Sequence, residues 1–550
     1  MAFDKFRKQC EELMEKELAD MLEVPPKELA DLALPCFSLG TNPIEIAKAK
    51  EKEAKEKLSK SPKSFSLIKE IRSAGPYLNF YINEEEFSKL VLKEIEKDDF
   101  GRGKENKKIM VEYSAPNSNK PLHVGHMRND SIGMAISNIL EFSGNKIVKA
   151  NLVNDRGIHI CKSMLAYQKW KKGSPDKKSD HFVGDCYVLF EKNKSDELEK
   201  EALEMLQKWE SGDSKTVELW KKMNQWAVTG MKETYRLFGS RFDVWFFESE
   251  FYKNAKPIID DGLKKNIFQK DEEGRIIAKL ENHGLPDKVV LRSDGTSIYI
   301  SNDLALTKHK FEHFHLDRAI WIVASEQNLY FKQLFKIFEL IGYEWDCHHL
   351  SYGMVHLPSG RMKSREGTVI DADDLIADVM KLAREEIEKR HHDLGEEDIK
   401  ERARQIALSA IKYYLLKVEP IKDLLFEAEK AISFEGDTGP YIQYTYARAN
   451  SILNKSEKEP EIKALGKSEF LLIKKLSVFP EIIEKCAREL KPNYLTNYLF
   501  ELATIFNEYY HNERVIGSEK EEARLALVKA VKTILKKGLE LLNIEAPDEM

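Results

Sequence analysis

The chain has little cysteine and no long hydrophobic run. Its 550 residues contain six cysteines, and no two form a CxxC pair. Neither a disulfide framework nor a zinc site follows from their spacing, and we expect no protein-bound metal. The apolar runs fall far short of the roughly 18 residues that span a bilayer. We therefore expect a cytoplasmic protein with no membrane contact. The N-terminus fits this expectation because it has the spacing of an amphipathic helix and not of a signal peptide, with apolar residues at Phe3, Phe6, Cys10, Leu13, Leu18 and Met21.

A strong net charge and a P-loop are also missing. The formal net charge of −6 argues against a protein that coats nucleic acid nonspecifically, although local basic surfaces stay possible. The GKS at Gly466 to Ser468 lacks the earlier glycine and the preceding strand of a P-loop, which argues against a P-loop kinase. The sequence Cys347-His348-His349 is interpreted as a buried thiol beside a strand.

The length of 550 residues predicts two to four domains, and the pattern along the chain indicates three. Residues 1–106 mix helical and short β-like segments, which predicts an α+β domain. Residues 107–380 alternate strands such as IMVEYS, KIVKANLV, DRAIWIVAS and SYGMVHL with helices. This alternation predicts a Rossmann-like α/β domain with a parallel sheet. Residues 381–550 read as amphipathic helices without strands, which predicts an α-helical bundle.

The most specific feature is EYSAPNSNKPLHVGHMRNDSIG, where a strand ends, a polar loop turns and a helix begins at HVGH. His123 and His126 lie three residues apart and therefore on one helix face. The first-turn N–H groups and the helix dipole favour anions, and Gly125 lets a phosphate approach the backbone. The segment predicts a nucleotide-phosphate site at which the two imidazoles bond phosphate oxygens.

HVGH within SAPNSNKPLHVGH resembles the HIGH signature of class I aminoacyl-tRNA synthetases, in the extended form of the arginine enzymes. Roughly 240 residues downstream, GRMKSREGTVIDADDLI follows SYGMVHL and resembles the KMSKS loop. The resemblance implies that ATP is a substrate and that Mg²⁺ arrives with ATP, without a site of its own on the protein. It implies ATP contacts at His123, Gly125, His126, Met354, Val355, Arg361, Met362, Lys363, Ser364 and Arg365.

The KMSKS match is imperfect. The family's catalytic second lysine is replaced by Ser364, and Lys363 stands one place earlier. Arginine enzymes with such a loop resemble one another in carrying a lysine just before the HIGH motif, and here Lys120 precedes His123 by three residues. We predict that Lys120 supplies much of the missing positive charge, so that the catalytic group is His123, His126, Lys120 and Lys363.

A guanidinium needs carboxylates that accept paired hydrogen bonds. Tyr299 and Asp303 in SIYISNDLALTKHK lie on one face if a helix begins there, and they resemble the family's Tyr-x-x-x-Asp. Glu248 in FDVWFFESEFY resembles a family carboxylate assigned to the same group. Tyr330 stands where many relatives carry histidine and is left unassigned. Around the amino end of the substrate arginine, the resemblance places Glu112, Ser114, Asn117 and Gln327.

Two segments resemble RNA-binding parts of the family. FEGDTGPYIQYTYARANSIL resembles the start of a DALR-type anticodon-binding domain, which implies tRNA contacts at Tyr441, Tyr444, Tyr446 and Arg448. Tyrosines can stack on unpaired bases, although tyrosines at helical spacing also pack bundles. Residues 1–106 resemble the additional tRNA-binding domain of arginine enzymes, with Asn79 as a contact.

The resemblance implies an arginine–tRNA ligase that forms arginyl-adenylate from L-arginine and ATP, releases pyrophosphate, and transfers arginine to the 3′-terminal adenosine of tRNA(Arg). We expect a monomer. Three alternatives stay open: a class I synthetase for cysteine, glutamate or lysine, a nucleotidylyltransferase with an HxGH helix start, and an inactive relative that only binds tRNA.

Overall fold

The computed structural model describes residues 1–25, 29–251, 255–293, 298–358, 370–390 and 393–550. The elements of the N-terminal part are α1 (Ala2–Glu12), α2 (Lys16–Ala19), β1 (Leu32–Pro35), α3 (Pro43–Lys60), β2 (Ile68–Ala74), β3 (Tyr77–Ile82) and α4 (Glu84–Ile95). The strands form an antiparallel sheet in the order β1-β3-β2, covered by helices. The predicted N-terminal helix is present as two helices, α1 and α2.

The middle of the chain builds a five-stranded sheet with helices between its strands. Its main elements are β4 (Lys108–Glu112), α5 (Val124–Phe142), β5 (Lys146–Val153), α6 (Ile158–Ala166), α7 (Ser179–Lys192), α8 (Asp196–Ser211), α9 (Ser214–Phe238), β6 (Val244–Phe247), α10 (Glu248–Phe251) and α11 (Lys256–Lys264). They continue with β7 (Phe268–Lys270), β8 (Ile276–Ala278), β9 (Lys288–Leu291), α12 (Tyr299–Phe314), β10 (Arg318–Ala324), α13 (Asn328–Ile341), β11 (Asp346–Tyr352) and β12 (Val355–His356).

The sheet order is β11-β10-β4-β5-β6, and all neighbouring pairs are parallel, which confirms the predicted Rossmann-like parallel sheet. From β4 the chain runs outward through β5 and β6, and then returns to the other side of β4 with β10 and β11. In such sheets a crevice opens at the carboxyl ends of the strands where the order reverses, here between β4 and β10.

The C-terminal part is helical, as predicted, apart from one short strand. Its elements are α14 (Ala372–Arg390), α15 (Glu396–Leu416), β13 (Leu424–Leu425), α16 (Ala428–Ala431), α17 (Gly439–Lys455), α18 (Lys467–Ser477), α19 (Phe479–Glu489), α20 (Asn493–Asn512) and α21 (Glu521–Leu541). The expectation of no strand beyond the sheet domain is wrong at β13. This strand pairs in parallel with β12, and a two-residue strand has too few residues to show a β pattern.

Four hydrophobic clusters are found among the described residues, and two of them position α5 beside the sheet. The first joins the N-terminal part, α5 and the C-terminal helices, and it includes Phe6, Phe87, Ile139, Leu499 and Leu535. The second packs α6, α7, α8 and α9 against α14 and α15. Because α5 faces the first cluster along most of its length, its N-terminus is held rigidly beside the sheet. None of the helices within the described ranges is long and apolar enough to cross a membrane.

Candidate active site

The HVGH segment forms the N-terminus of α5. Backbone bonds fix both imidazoles, because His123 Nδ1 accepts from the Gly125 N–H at 3.1 Å and His126 Nδ1 accepts from the His123 N–H at 3.1 Å. The two ring centroids lie 3.9 Å apart. With both Nδ1 atoms acting as acceptors, the hydrogen-bond network assigns the proton of each neutral ring to Nε2. Each ring therefore keeps one N–H donor for a ligand.

Burial shifts the pKa values of His123, His126 and Lys120. It lowers the pKa of His123 to about 4, with a further contribution from the charge of Lys120. Burial, then the neighbouring His123 and Lys120, hold the pKa of His126 well below its ordinary value. Burial also lowers the pKa of Lys120, which has no ion-pair partner among the described residues. Two neutral donors and one uncompensated lysine make a site that suits phosphate oxygens.

Five predicted ATP contacts of the KMSKS-like loop, Arg361, Met362, Lys363, Ser364 and Arg365, lie outside the described residues. The chain just beyond them lies alongside the start of α5. The Val124 N–H donates to the Ile370 carbonyl at 3.1 Å, and the Ala372 N–H donates to the Leu122 carbonyl at 2.9 Å. The structure therefore brings one end of the second signature against the first.

Met354 and Val355, the other two predicted ATP contacts, follow the carboxyl end of β11. The Met354 side chain is 45% exposed, and Val355 begins β12. Their position places the remaining predicted ATP contacts at the same edge of the sheet as HVGH.

Glu112 is the last residue of β4 and is buried. Its carboxylate forms an ion pair at 2.5 Å with Lys310, whose side chain is 2% exposed. Sequence reasoning missed Lys310, although it lies seven residues after Asp303, on the same face of α12. Glu112 therefore lies at the carboxyl end of β4 with its charge already balanced.

Ser114 and Asn117 lie in the loop between β4 and α5. Ser114 has a φ of 75°, its Oγ is 2.6 Å from the hydroxyl of Tyr235, and its N–H donates to Asn129 Oδ1 at 2.9 Å. Asn117 forms an isolated backbone bridge with Asn154. These bonds fix the loop, so the two predicted substrate contacts occupy defined positions.

Tyr299 and Asp303 begin α12, which confirms the helix expected at this point. Tyr299 is 61% exposed, whereas Asp303 is half-buried and accepts a hydrogen bond from the hydroxyl of Tyr330. Burial raises the pKa of Asp303 to about 6, and the Tyr330 bond and the charge of Lys310 oppose that rise. Tyr330, which has no assignment from the sequence, is therefore the hydrogen-bond donor to the Asp303 carboxylate.

Glu248 follows β6 and is 8% exposed. The Asn302 side-chain amide donates to Glu248 Oε1 at 3.3 Å. Among the described residues, Glu248 Oε2 and Asn302 Oδ1 are buried without a hydrogen-bond partner. Burial raises the pKa of Glu248 to about 7; the charge of Arg156 opposes this rise and Asp303 adds to it. Buried acceptors without donors are uncommon, and a planar fork of N–H groups would satisfy them.

Two further residues lie at this edge of the sheet. Gln327 is exposed in a 3₁₀ turn that follows β10. His159 lies in the first turn of α6, has a buried Nε2 without a partner in the described chain, and lies near enough to Lys120 for that charge to lower its pKa. Burial is the larger cause and brings the pKa of His159 to about 4. Sequence reasoning missed His159, for which no motif offered a signal.

The predicted tRNA contacts divide into partly exposed and buried side chains. Tyr441, Tyr444 and Arg448 are partly exposed on α17. The guanidinium carbon Cζ of Arg448 lies 4.6 Å from the ring centroid of Tyr444. Tyr446 is 1% exposed and donates to Asp548 at 2.8 Å.

The structure contradicts the contact predicted at Tyr446. Its ring packs inside the bundle, and a side chain enclosed in a core cannot stack on a base. Tyr446 is therefore corrected to a structural position. Asn79 is 6% exposed in the central strand β3, and its contact with tRNA stays a prediction.

A cluster of Asp180, His181 and Asp373 has ligand atoms within 4.8 Å of one another. The ammonium of Lys178 lies 2.9 Å from Asp180 and 2.6 Å from Asp373, and His181 is 2.8 Å from Asp373. The charge of Lys178 and the hydrogen bond of His181 already occupy the carboxylates, so the cluster ties α7 to the start of α14 as a polar network.

Comparisons with known proteins identify the family of the chain. The family described as "tRNA synthetases class I (R), catalytic domain" matches residues 89–428, and "DALR anticodon binding domain" matches residues 442–550. An arginine–tRNA ligase of Treponema denticola is 40% identical over 97% of this chain and 95% of its own length. One from Borrelia turicatae is 42% identical over 95% of this chain and 93% of its own length.

The similarity extends to the three-dimensional structure. The arginyl-tRNA synthetase of Thermus thermophilus superposes with a TM-score of 0.82 at 26% identity, covering 99% of this chain and 100% of that one. The match spans the parallel sheet, the HVGH helix and the helical C-terminal part together. The chain belongs to the family of class I aminoacyl-tRNA synthetases for arginine.

Proposed function

We propose that this chain is an arginine–tRNA ligase that activates L-arginine with ATP and transfers it to the 3′-terminal adenosine of tRNA(Arg). The observation that carries the proposal is the pair of unsatisfied buried acceptors on Glu248 and Asn302, at the sheet edge that also holds HVGH. A guanidinium supplies five N–H donors and a charge, which is what that pocket lacks.

In the first step the carboxylate of arginine attacks the α-phosphorus of ATP in line, and pyrophosphate leaves. The Nε2–H groups of His123 and His126 and the ammonium of Lys120 bond the phosphate oxygens as negative charge develops on them. Preorganised donors of this kind are worth roughly a hundredfold to a thousandfold each in rate. Mg²⁺ accompanies ATP as part of the substrate. Lys363 is assigned the role of a second cation.

The side chain of arginine is bound by carboxylates. Asp303 and Glu248 accept from the guanidinium, and the ring of Tyr299 covers it. Glu112, Ser114, Asn117 and Gln327 surround the amino end, with Lys310 balancing the charge of Glu112. Lysine and citrulline lack the charged fork, so they would leave a buried acceptor unpaired at a cost of roughly 1–3 kcal/mol per group.

In the second step a ribose hydroxyl of the terminal adenosine takes the arginyl group from the adenylate. For tRNA binding we retain Asn79 in the N-terminal part, and Tyr441, Tyr444 and Arg448, whose side chains are partly exposed on one helix. The proposed domains are residues 1–106, 107–380 and 381–550. We further propose that the enzyme acts as a monomer in the cytoplasm, since one chain carries every assigned residue.

The decisive experiment is aminoacylation of total tRNA with each of the twenty amino acids. Charging with arginine alone supports the proposal, and charging with cysteine, glutamate or lysine selects a different class I enzyme. ATP–pyrophosphate exchange with and without tRNA completes the test. A chain that binds tRNA but charges nothing is the inactive relative, and AMP transfer without tRNA identifies a nucleotidylyltransferase. Light scattering checks the monomer.

A further inference from the structure

Arg128 lies on α5, two residues after His126 of the HVGH segment, and its side chain is 0% exposed. Its guanidinium donates to four backbone carbonyls. Nη1 bonds Gly353 at 2.9 Å and Met354 at 3.1 Å, and Nη2 bonds Pro420 at 3.2 Å and Lys422 at 2.6 Å. One side chain thus joins α5 to two chain segments that are more than two hundred residues away.

The first of these segments leads into β12 and contains Met354, one of the proposed ATP contacts. The second leads into β13, which pairs with β12. Further bonds hold the two segments together: the Gly353 N–H donates to the Pro420 carbonyl at 2.9 Å, and the Met354 N–H donates to Asp423 Oδ1 at 2.7 Å. The segments form one layer, and Arg128 fastens that layer to the HVGH helix.

Gly353 is required for this close approach. A Cβ at residue 353 would lie 2.5 Å from the carbonyl carbon of Lys422 and 2.6 Å from the nitrogen of Asp423, which are backbone atoms that cannot move aside individually. The contact is therefore built from both sides: by a long planar side chain on α5 and by the absence of a side chain at residue 353.

The arrangement carries a desolvation cost. The guanidinium is buried among carbonyl dipoles, no salt bridge to it is found among the described residues, and its Nε is buried without a partner. Burial lowers the pKa of Arg128 to about 10, so it stays charged at neutral pH. An apolar side chain would avoid the desolvation penalty of a charge, but it would leave the four carbonyls without these donors. The planar fork instead fixes the direction of four peptide groups.

We propose that Arg128 is a positioning residue for ATP: it holds the backbone at Gly353 and Met354 at a fixed distance from the phosphate-binding start of α5. One ATP molecule then contacts two segments through its base and its phosphates, namely the chain at Gly353 and Met354 and the start of α5. Arg128 holds these two segments at a fixed separation. This inference rests on the proposed function for the identity of the nucleotide. Arg128 does not touch the substrate, and its effect passes through the backbone of residues 353 and 354.

The test compares three variants of the full chain. Arg128→Met removes the fork, Arg128→Lys keeps the charge without the fork, and Gly353→Ala separates the same segments without altering α5. Lys412→Met is the matched control, because Lys412 is also a long, buried basic side chain, 5% exposed, that donates to a backbone carbonyl, that of Asn543 at 2.6 Å, away from the ATP site. ATP binding is measured directly by equilibrium dialysis, and KM for ATP and for arginine by pyrophosphate exchange.

We expect Arg128→Met and Gly353→Ala to weaken ATP binding at least tenfold, with KM for arginine within about twofold of the parent. The ATP affinity of Arg128→Lys should lie between the affinities of these two variants and that of the parent. If Arg128→Met does not fold, Arg128→Lys takes its place in the test. Lys412→Met should lower Tm and leave ATP binding unchanged. Equal ATP affinity in parent and variants, or equal losses in the Lys412→Met control, would overturn the inference. If the parent binds ATP but shows no arginine-dependent exchange, the proposed function fails while dialysis still decides the role of Arg128.

Discussion

The side-chain amide of Asn302 donates to Oε1 of the Glu248 carboxylate across 3.3 Å, and Glu248 Oε2 and the amide oxygen of Asn302 are buried without a donor among the described residues. The two residues are 54 positions apart in the chain and meet only where α10 follows β6 and α12 passes over it. A carboxylate in this setting is held ready for a cation. The consequences of this arrangement for arginine binding and for stability can be measured.

Arginine binding should depend on pH through Glu248. The pKa of Glu248 in the free protein is about 7, and only the ionised form accepts the guanidinium fully, so binding arginine displaces the proton. KM for arginine should therefore rise up to about tenfold per unit as pH falls from 7 to 6, and level off above pH 8. Steady-state exchange between pH 6 and 8.5 measures this profile. KM for ATP is the control, because the pKa of His123, about 4, lies below the range.

Glu248→Gln should stabilise the ligand-free protein at pH 8. Because burial raises the folded-state pKa of Glu248, its ionised form costs folding free energy above pH 7, and a neutral amide avoids that cost. We expect a gain of roughly 1–3 kcal/mol in the free energy of unfolding at pH 8. The gain should shrink as pH falls from 7 to 4.5, where the unfolded carboxyl is also protonated. Thermal unfolding at several pH values tests this, and a pH-independent difference contradicts it.

Asp303→Asn should raise KM for arginine by about a hundredfold, because a neutral amide offers one acceptor and no charge to a buried guanidinium. Tyr330→Phe removes only the hydroxyl that donates to Asp303, and should raise KM for arginine by about tenfold or less. Both variants should keep KM for ATP nearly unchanged. An unaltered KM for arginine in Asp303→Asn would remove Asp303 from the site.

The ion pair of Lys310 and Glu112 is buried, so removing one partner leaves an uncompensated charge. Lys310→Met should lower the free energy of unfolding by roughly 3–5 kcal/mol. The double variant Lys310→Met with Glu112→Gln removes both charges and should recover much of that loss. Denaturant unfolding of the two variants and the parent measures the difference. Equal stability of the single and double variants would contradict a net interaction between the two charges.

Lys120→Ala should reduce ATP–pyrophosphate exchange by a hundredfold or more, since Lys120 is the cation beside two neutral imidazoles. Exchange is measured with tRNA present. Lys363→Ala, run in parallel, shows how the work is divided between the two lysines. Near-normal exchange in Lys120→Ala would mean that the missing charge of the second signature is supplied elsewhere.

Local patterns predicted much of this protein. The strand, loop and helix around HVGH are encoded within about twenty residues, and their hydrogen bonds join neighbours such as His123 and Gly125. The alternation of strands and helices predicted a parallel sheet. The four-residue spacing of Tyr299 and Asp303 predicted that both lie on one face of a helix. Each of these features depends on short-range periodicity, which a sequence displays directly.

Tertiary structure decided the rest, because the contacts join distant parts of the chain. Lys310 meets Glu112 across 198 positions and Arg128 meets Lys422 across 294, and no spacing rule connects such residues. Burial is likewise a property of the packed chain: the ring of Tyr446 faces a core, while the ring of Tyr444, two residues earlier on α17, is partly exposed. The sequence alone determined which chemical groups are present and their local order. Packing determined which of them are charged, paired or left to receive a ligand.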